Sequence, residues 1–243
     1  MKALKILFVV ILAALMAFSC SDKKSNPTEN QEQPPEQLSA EPVTLPQSMQ
    51  QSHDPQVMMV RNYIQMINLF QQFANSLMPR NGVHKPMGNT DVFDGPPWVY
   101  TWHSDSLAFK LTITIEDNNY HWRLTITGTS YGHTFNGSVY MEAWQALDGK
   151  SGKLVIYDYD YEEGNHTLQW TWNIDEKGTE TIVYTDSASN TKLEVVQNSD
   201  LSGSLKVWQN NTLIFQANWT GSGSGTWVAY DENGNQTGSG SWG

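Results

Sequence analysis

From Trp98 to Trp242 apolar and polar residues alternate along the chain. Leu107, Phe109, Leu111, Ile113 and Ile115 share one face, with Ala108, Lys110, Thr112 and Thr114 on the other. Tyr120, Trp122, Leu124 and Ile126 repeat the pattern against His121, Arg123, Thr125 and Thr127. Leu168, Trp170, Trp172 and Ile174 do so again, as do Leu213, Phe215, Ala217 and Trp219. Successive strand residues point to opposite faces, so strict alternation predicts strands with one buried face. Turn signals fall near Asn118, Tyr131, Gly149, Gly164, Lys177, Ala188, Ser199, Asn210, Ser222 and Asn233. Their spacing leaves no room for crossover helices, so neighbouring strands pair antiparallel, about eleven or twelve of them. Glu162-Glu163-Gly164-Asn165, Asp175-Glu176-Lys177-Gly178 and Asp231-Glu232-Asn233-Gly234 share one turn chemistry. Gly or Asn there supplies the positive φ a tight hairpin needs.

A different period precedes the strands. Residues 55–78 read as a helix, with Asp54 as its cap, Pro55 at its first position and Pro79 beyond its end. Val57, Val60, Ile64, Ile67 and Phe70 form one apolar set. Met59, Tyr63, Met66, Phe70, Phe73 and Leu77 form a second, which together predict a helix buried over most of its circumference. Residues 79–97, rich in Pro and Gly, make a long connection.

The buried face of so many strands needs a cover, and the helix is the best candidate. The predicted architecture is therefore mainly β. An antiparallel meander forms a barrel or a strongly curved half-barrel, with the helix packed on or inside it. Residues 52–243 are expected to form a single domain. Residues 21–51 carry Pro27, Pro34, Pro35, Pro42 and Pro46 with many Gln and Glu and no aromatic residue. That composition predicts an unordered tether, since it buries too little apolar surface to order itself. As extended polyproline it would reach on the order of 95 Å.

Composition narrows the class. The 243-residue chain has one cysteine, which excludes an internal disulfide and any cysteine-based zinc site. Its net charge of -11 argues against nucleic acid as a partner, because phosphate binding needs a basic footprint. Charged residues are only 16%, with ten Trp and 18 Gly beside them, which suits a β-rich exported protein.

The first twenty residues agree with export. Lys2 and Lys5 precede an apolar run from Ile6 to Phe18. The run is shorter than the roughly 20 residues of a membrane-spanning helix and fits a secretory signal. Ala17-Phe18-Ser19-Cys20 then resembles the lipobox of bacterial lipoproteins. The resemblance implies removal of residues 1–19 and lipid attachment at Cys20, which begins the tether 20–51. Ser21 stands where the family's inner-membrane retention signal would place Asp, so the resemblance implies the outer membrane. Ala17-Phe18-Ser19 also has the small-x-small form of ordinary signal cleavage, which would leave Cys20 as a free thiol.

Candidate chemistry is sparse. The six histidines form no close metal-binding pair, and no nucleophile elbow or P-loop is present. Asp158, Asp160 and Glu162 alternate along one predicted strand, so their carboxylates would line up about 7 Å apart and could hold calcium. Tyr157, Tyr159 and Tyr161 would then pack inward. Tyr140, Trp144, Trp208 and Trp227 fall on predicted outward positions, where flat rings beside polar residues could stack on sugars. Cross-strand aromatic pairing explains the same pattern without a ligand. Met59, Met66, Phe70, Phe73, Trp122 and Trp170 could line a soft hydrophobic pocket. The leading expectation is a membrane-anchored lipoprotein with a non-enzymatic binding or structural role and no cofactor. A carrier of lipid or another hydrophobic ligand and a glycan-binding module are the alternatives.

Overall fold

A computed structural model describes residues 35, 37–77, 95–130, 132–158 and 166–243. Among the described residues two helices come first, α1 (Gln47–Gln51) and α2 (Pro55–Ser76). Twelve strands follow: β1 (Trp98–Ser104), β2 (Leu107–Glu116), β3 (Asn119–Ser130), β4 (His133–Ala146), β5 (Ser151–Asp158) and β6 (His166–Ile174). Then come β7 (Glu180–Asp186), β8 (Thr191–Gln197), β9 (Gly203–Gln209), β10 (Thr212–Trp219), β11 (Gly225–Tyr230) and β12 (Gln236–Trp242). The sheet order is the chain order, so the fold is an antiparallel meander. β1 and β12 are its two ends and do not pair with each other, so it is the open rather than the closed form of the expected architecture.

The backbone gathers into two compact units. Among the described residues, one comprises those of Met1–Leu38, Phe73–Leu147 and Ile156–Asn165, the other Ser39–Gln72, Asp148–Val155 and His166–Gly243. In the first, Leu107, Phe109, Leu111 and Ile113 of β2 and Trp122, Leu124 and Ile126 of β3 are buried at alternate positions, as their sequence spacing requires. In the second, Trp170 and Trp172, Ile182 and Tyr184, Leu193 and Val195, Leu205 and Val207, and Phe215, Ala217 and Trp219 repeat the pattern. Truncating a fully buried Trp such as Trp122 or Trp170 typically costs about 3–5 kcal/mol.

The helix begins where its cap residue predicts. The Asp54 carboxylate accepts from the backbone N–H of Gln56 at 2.8 Å and of Val57 at 3.3 Å. Its buried stripe is Val57, Val60, Ile64, Ile67, Gln71 and Ala74, widened by Phe70, Phe73 and Leu77. Phe70 meets Tyr184 of β7 edge to face at 5.5 Å. The second apolar set is only partly inward, since Met59 and Tyr63 are half-buried and Met66 is exposed. Methionine tolerates both surroundings, so its spacing does not decide the face.

The expected tether ends earlier than its composition suggests. Leu38, Ala40, Val43, Leu45 and Met49 are buried, and α1 lies within the stretch. The Pro and Gln content hides these regularly placed apolar residues, whose burial offsets the entropy of ordering the segment. Residues 1–34 lie outside the described residues, and with them the signal segment and the start of the tether.

Four turns share one construction. In 175–179, 198–202, 220–224 and 231–235 the first residue's N–H donates to the fifth carbonyl, and the fourth N–H donates back to the first carbonyl. The fourth position has positive φ in every case, held by Gly178, Gly223 and Gly234, and by Leu201 at 67°. Asp175 and Asp231 also accept from two backbone N–H groups inside their own turns. The expected kinship between the 175 and 231 turns is thus shared hydrogen bonding. At 117–118 and 210–211 both central residues have positive φ, the signature of two-residue hairpins.

Tryptophans on the next strand of the sheet brace two of these turns. Trp219 of β10 lies opposite Gly203 of β9 and donates its indole N–H to the Leu201 carbonyl at 2.9 Å. Trp242 of β12 lies opposite Gly225 of β11 and donates to the Gly223 carbonyl at 2.6 Å. The glycines are required because the indole lies where a Cβ would stand. An added Cβ at Gly203 collides with the Val196 carbonyl and the Trp219 ring, whereas at Gly238 the nearest atom is the Trp227 ring at 3.2 Å. Gly203→Ala is therefore expected to lower unfolding free energy by about 2 kcal/mol or more, and Gly238→Ala by about 1 or less. Urea denaturation of both variants checks this, and equal losses would contradict the bracing role.

Candidate functional site

Chemistry-bearing side chains gather on the polar face of β2 to β4 and at the end of β5, within the first unit. The register sets Thr114 opposite His121, and His121 opposite Trp144. It likewise sets Thr112 opposite Arg123, and Arg123 opposite Glu142. Two parallel cross-strand rows result, and Glu116 of β2 and Tyr157 of β5 reach into them.

Glu142 is the hub. Its Oε1 lies 3.3 Å from Arg123 Nη1 and 3.5 Å from His121 Nε2, the latter too long for a good hydrogen bond. Its Oε2 accepts from the Tyr157 hydroxyl at 2.9 Å. His121 Nδ1 lies 3.3 Å from Glu116 Oε2, so a carboxylate flanks each ring nitrogen. The His121 ring stacks on the Trp144 indole at 4.9 Å, with 9° between the planes. Thr114 donates to Glu116 at 2.6 Å. That bond, followed by His121, holds the Glu116 carboxyl below its ordinary range.

Only 13% of the His121 and Glu142 side chains is exposed, against 51% for Arg123 and 57% for Glu116. A mostly covered centre is thus ringed by accessible charge. The arrangement fixes one carboxylate, one guanidinium and one aromatic stack in place before any ligand arrives, which reduces the ordering cost of binding.

The predicted aromatic positions separate. Trp144 is half-buried on this face, as expected. Tyr140 is only 2% exposed and points inward, against expectation. Leu124 pairs with Met141 but Thr125 pairs with Val139, so Tyr140 is the extra residue of a β-bulge, which reverses its side. Trp208 is half-buried and carries the Lys192 ammonium over its ring at 4.3 Å, which covers that face. Trp227 lies over Gly238 and Gly240 of β12. Both therefore serve cross-strand packing within the second unit.

Four of the six residues of the suggested hydrophobic pocket are buried. Phe70 and Trp170 are buried in the second unit and Phe73 and Trp122 in the first, while Met59 is half-buried and Met66 exposed on the helix. Of the acidic row, Asp158 is half-buried, and Asp160 and Glu162 lie outside the described residues, as does Cys20. Among the described residues no group of three or more His, Cys, Asp or Glu is placed to hold a metal. Tyr157, expected to pack inward, instead meets Glu142 on the polar face. Leu154, Val155 and Ile156 are buried in succession, so β5 departs from simple alternation just before it.

Sequence reading assigned His121 and Arg123 to the polar side of their strand but did not join them to Glu142, because register is not local information. No protein-family model matches this chain, and no curated protein matches its sequence.

Glu142→Ala is expected to lower stability by about 1–3 kcal/mol, since Tyr157 and Arg123 lose their acceptor. Glu142→Gln keeps an acceptor for Tyr157 and should lose less. Chemical denaturation of the two variants checks the order, and a harmless Ala substitution would remove Glu142 from its central place.

Proposed function

We propose that this protein is an exported lipoprotein, anchored through Cys20, that acts by binding rather than by catalysis through the polar face around Trp144. The observation that supports the binding face is the Trp144–His121 stack beside the fixed Glu142–Arg123 pair. A rigid aromatic surface flanked by hydrogen-bonding groups suits a ligand with one apolar face and a polar rim, and saccharides have that form. The apolar side of a sugar ring packs on an aromatic plane while carboxylate and guanidinium groups bond its hydroxyls. The reading of the anchor is supported by the apolar run from Ile6 to Phe18 and the small residues before Cys20. Attachment of more than one acyl chain would make the anchorage stable.

Two measurements test the two halves. Cys20→Ser should abolish incorporation of labelled palmitate and move the protein from the membrane to the soluble fraction. Retained labelling would refute the anchor. On a glycan array the wild-type protein should bind a subset of saccharides. Trp144→Ala and Arg123→Ala should each weaken that binding about tenfold or more, with the far-UV spectrum unchanged. Binding that survives both substitutions would rule out this face.

A further inference from the structure

Residues 38–45 form a strap on the folded chain, and side-chain amides hold its backbone. Asn68 of α2 accepts from the Val43 N–H at 3.0 Å and donates to the Val43 carbonyl at 2.9 Å. Gln197 of β8 grips Thr44 in the same reciprocal way, accepting from its N–H at 3.0 Å and donating to its carbonyl. Gln71 of α2 donates to the Ala40 carbonyl. Ala40, Val43 and Leu45 are buried beneath these bonds.

One anchor on the strap differs from the carboxamides. Glu180, the first residue of β7, is only 9% exposed. It is the register partner of Gln197, so the two residues hold neighbouring parts of the strap. The Glu41 backbone N–H donates to the Glu180 carboxyl, and Glu180 Oε1 has no hydrogen-bond partner among the described residues. The charge facing Glu180 is the Glu41 carboxylate, on the strap itself. Its register partners Ile174 of β6 and Gln197 of β8 are uncharged, as are Asn68 and Gln71, which hold the strap from α2.

We propose that Glu180 is a proton-operated latch for this strap, which docks firmly while Glu180 is neutral and loosens once it ionises. A neutral carboxyl accepts the Glu41 N–H without a buried charge. An ionised one is buried with an unpaired oxygen and faces a second carboxylate, and both penalties vanish when the strap lifts and water enters. Burial, with the Glu41 charge adding to it and the Glu41 N–H opposing it, pushes Glu180 from 4.5 up to about 7. The proton is held more tightly in the docked state. Docking is therefore strongest below 4.5, declines as pH rises through about 7, and is constant beyond. Taken with the anchor proposed above, release would lengthen the link to Cys20 by about 25 Å. The latch itself does not depend on that anchor.

Hydrogen–deuterium exchange of the full chain tests it, with rates corrected for intrinsic exchange. Protection across residues 38–45 should fall about tenfold or more between about pH 5 and about pH 8, while Leu205 and Val207 in the core keep theirs. Glu180→Gln should remove the pH dependence. Glu41→Gln, at an exposed position that retains the backbone donor, should reduce it, and it decides the matter if the Glu180 variant fails to fold. Equal protection at both pH values, or an equal fall in wild type and both variants, would overturn the latch.

Discussion

One-sided burial along a continuous antiparallel ladder is the constraint on which the other features of this protein depend. Strands such as β2, β3 and β6 to β10 place alternate residues inward, and the inward sets are large and mostly aromatic or branched. A slip of one residue in any pairing would exchange the faces of that strand. Register is held at the turns by repeated hydrogen bonding, and at two hairpins by an indole laid over a glycine. The short loops leave the backbone no alternative partners, and the meander follows directly from chain order.

Given that ladder, the polar face has a defined geometry. Rows of opposite residues bring Thr114, His121 and Trp144 into one line and Thr112, Arg123 and Glu142 into the next. Two irregularities then adjust it. The bulge in β4 turns Tyr140 inward, and the end of β5 carries the Tyr157 hydroxyl to Glu142. The carboxylate that results meets the Tyr157 hydroxyl, the Arg123 guanidinium and the His121 ring together.

The strap uses a different physics. It adds no strand to the sheet, and its backbone is satisfied largely by carboxamides from α2 and β8. A carboxamide offers both an N–H donor and a carbonyl acceptor, as a peptide unit does, so Asn68 and Gln197 replace a neighbouring strand one residue at a time. Glu180 cannot substitute in that way without regard to pH, because its donor exists only when it is protonated.

The alternation of apolar residues determined the strands, their antiparallel order and their approximate number, and Asp54 with Pro55 determined where the helix begins. These features rest on periods of two and 3.6 residues and on capping chemistry, all within a few positions along the chain. The placement of His121 and Arg123 on a polar face was legible for the same reason. Only the tertiary structure decided that Tyr140 lies inside, that Tyr157 shares a face with Glu142, and that residues 38–45 are packed against the fold. Each of these depends on pairing between residues far apart in sequence, where a single bulge or one well-placed amide outweighs local pattern. Composition alone described the 38–45 segment as a tether because it averages over positions, whereas burial depends on which positions are apolar.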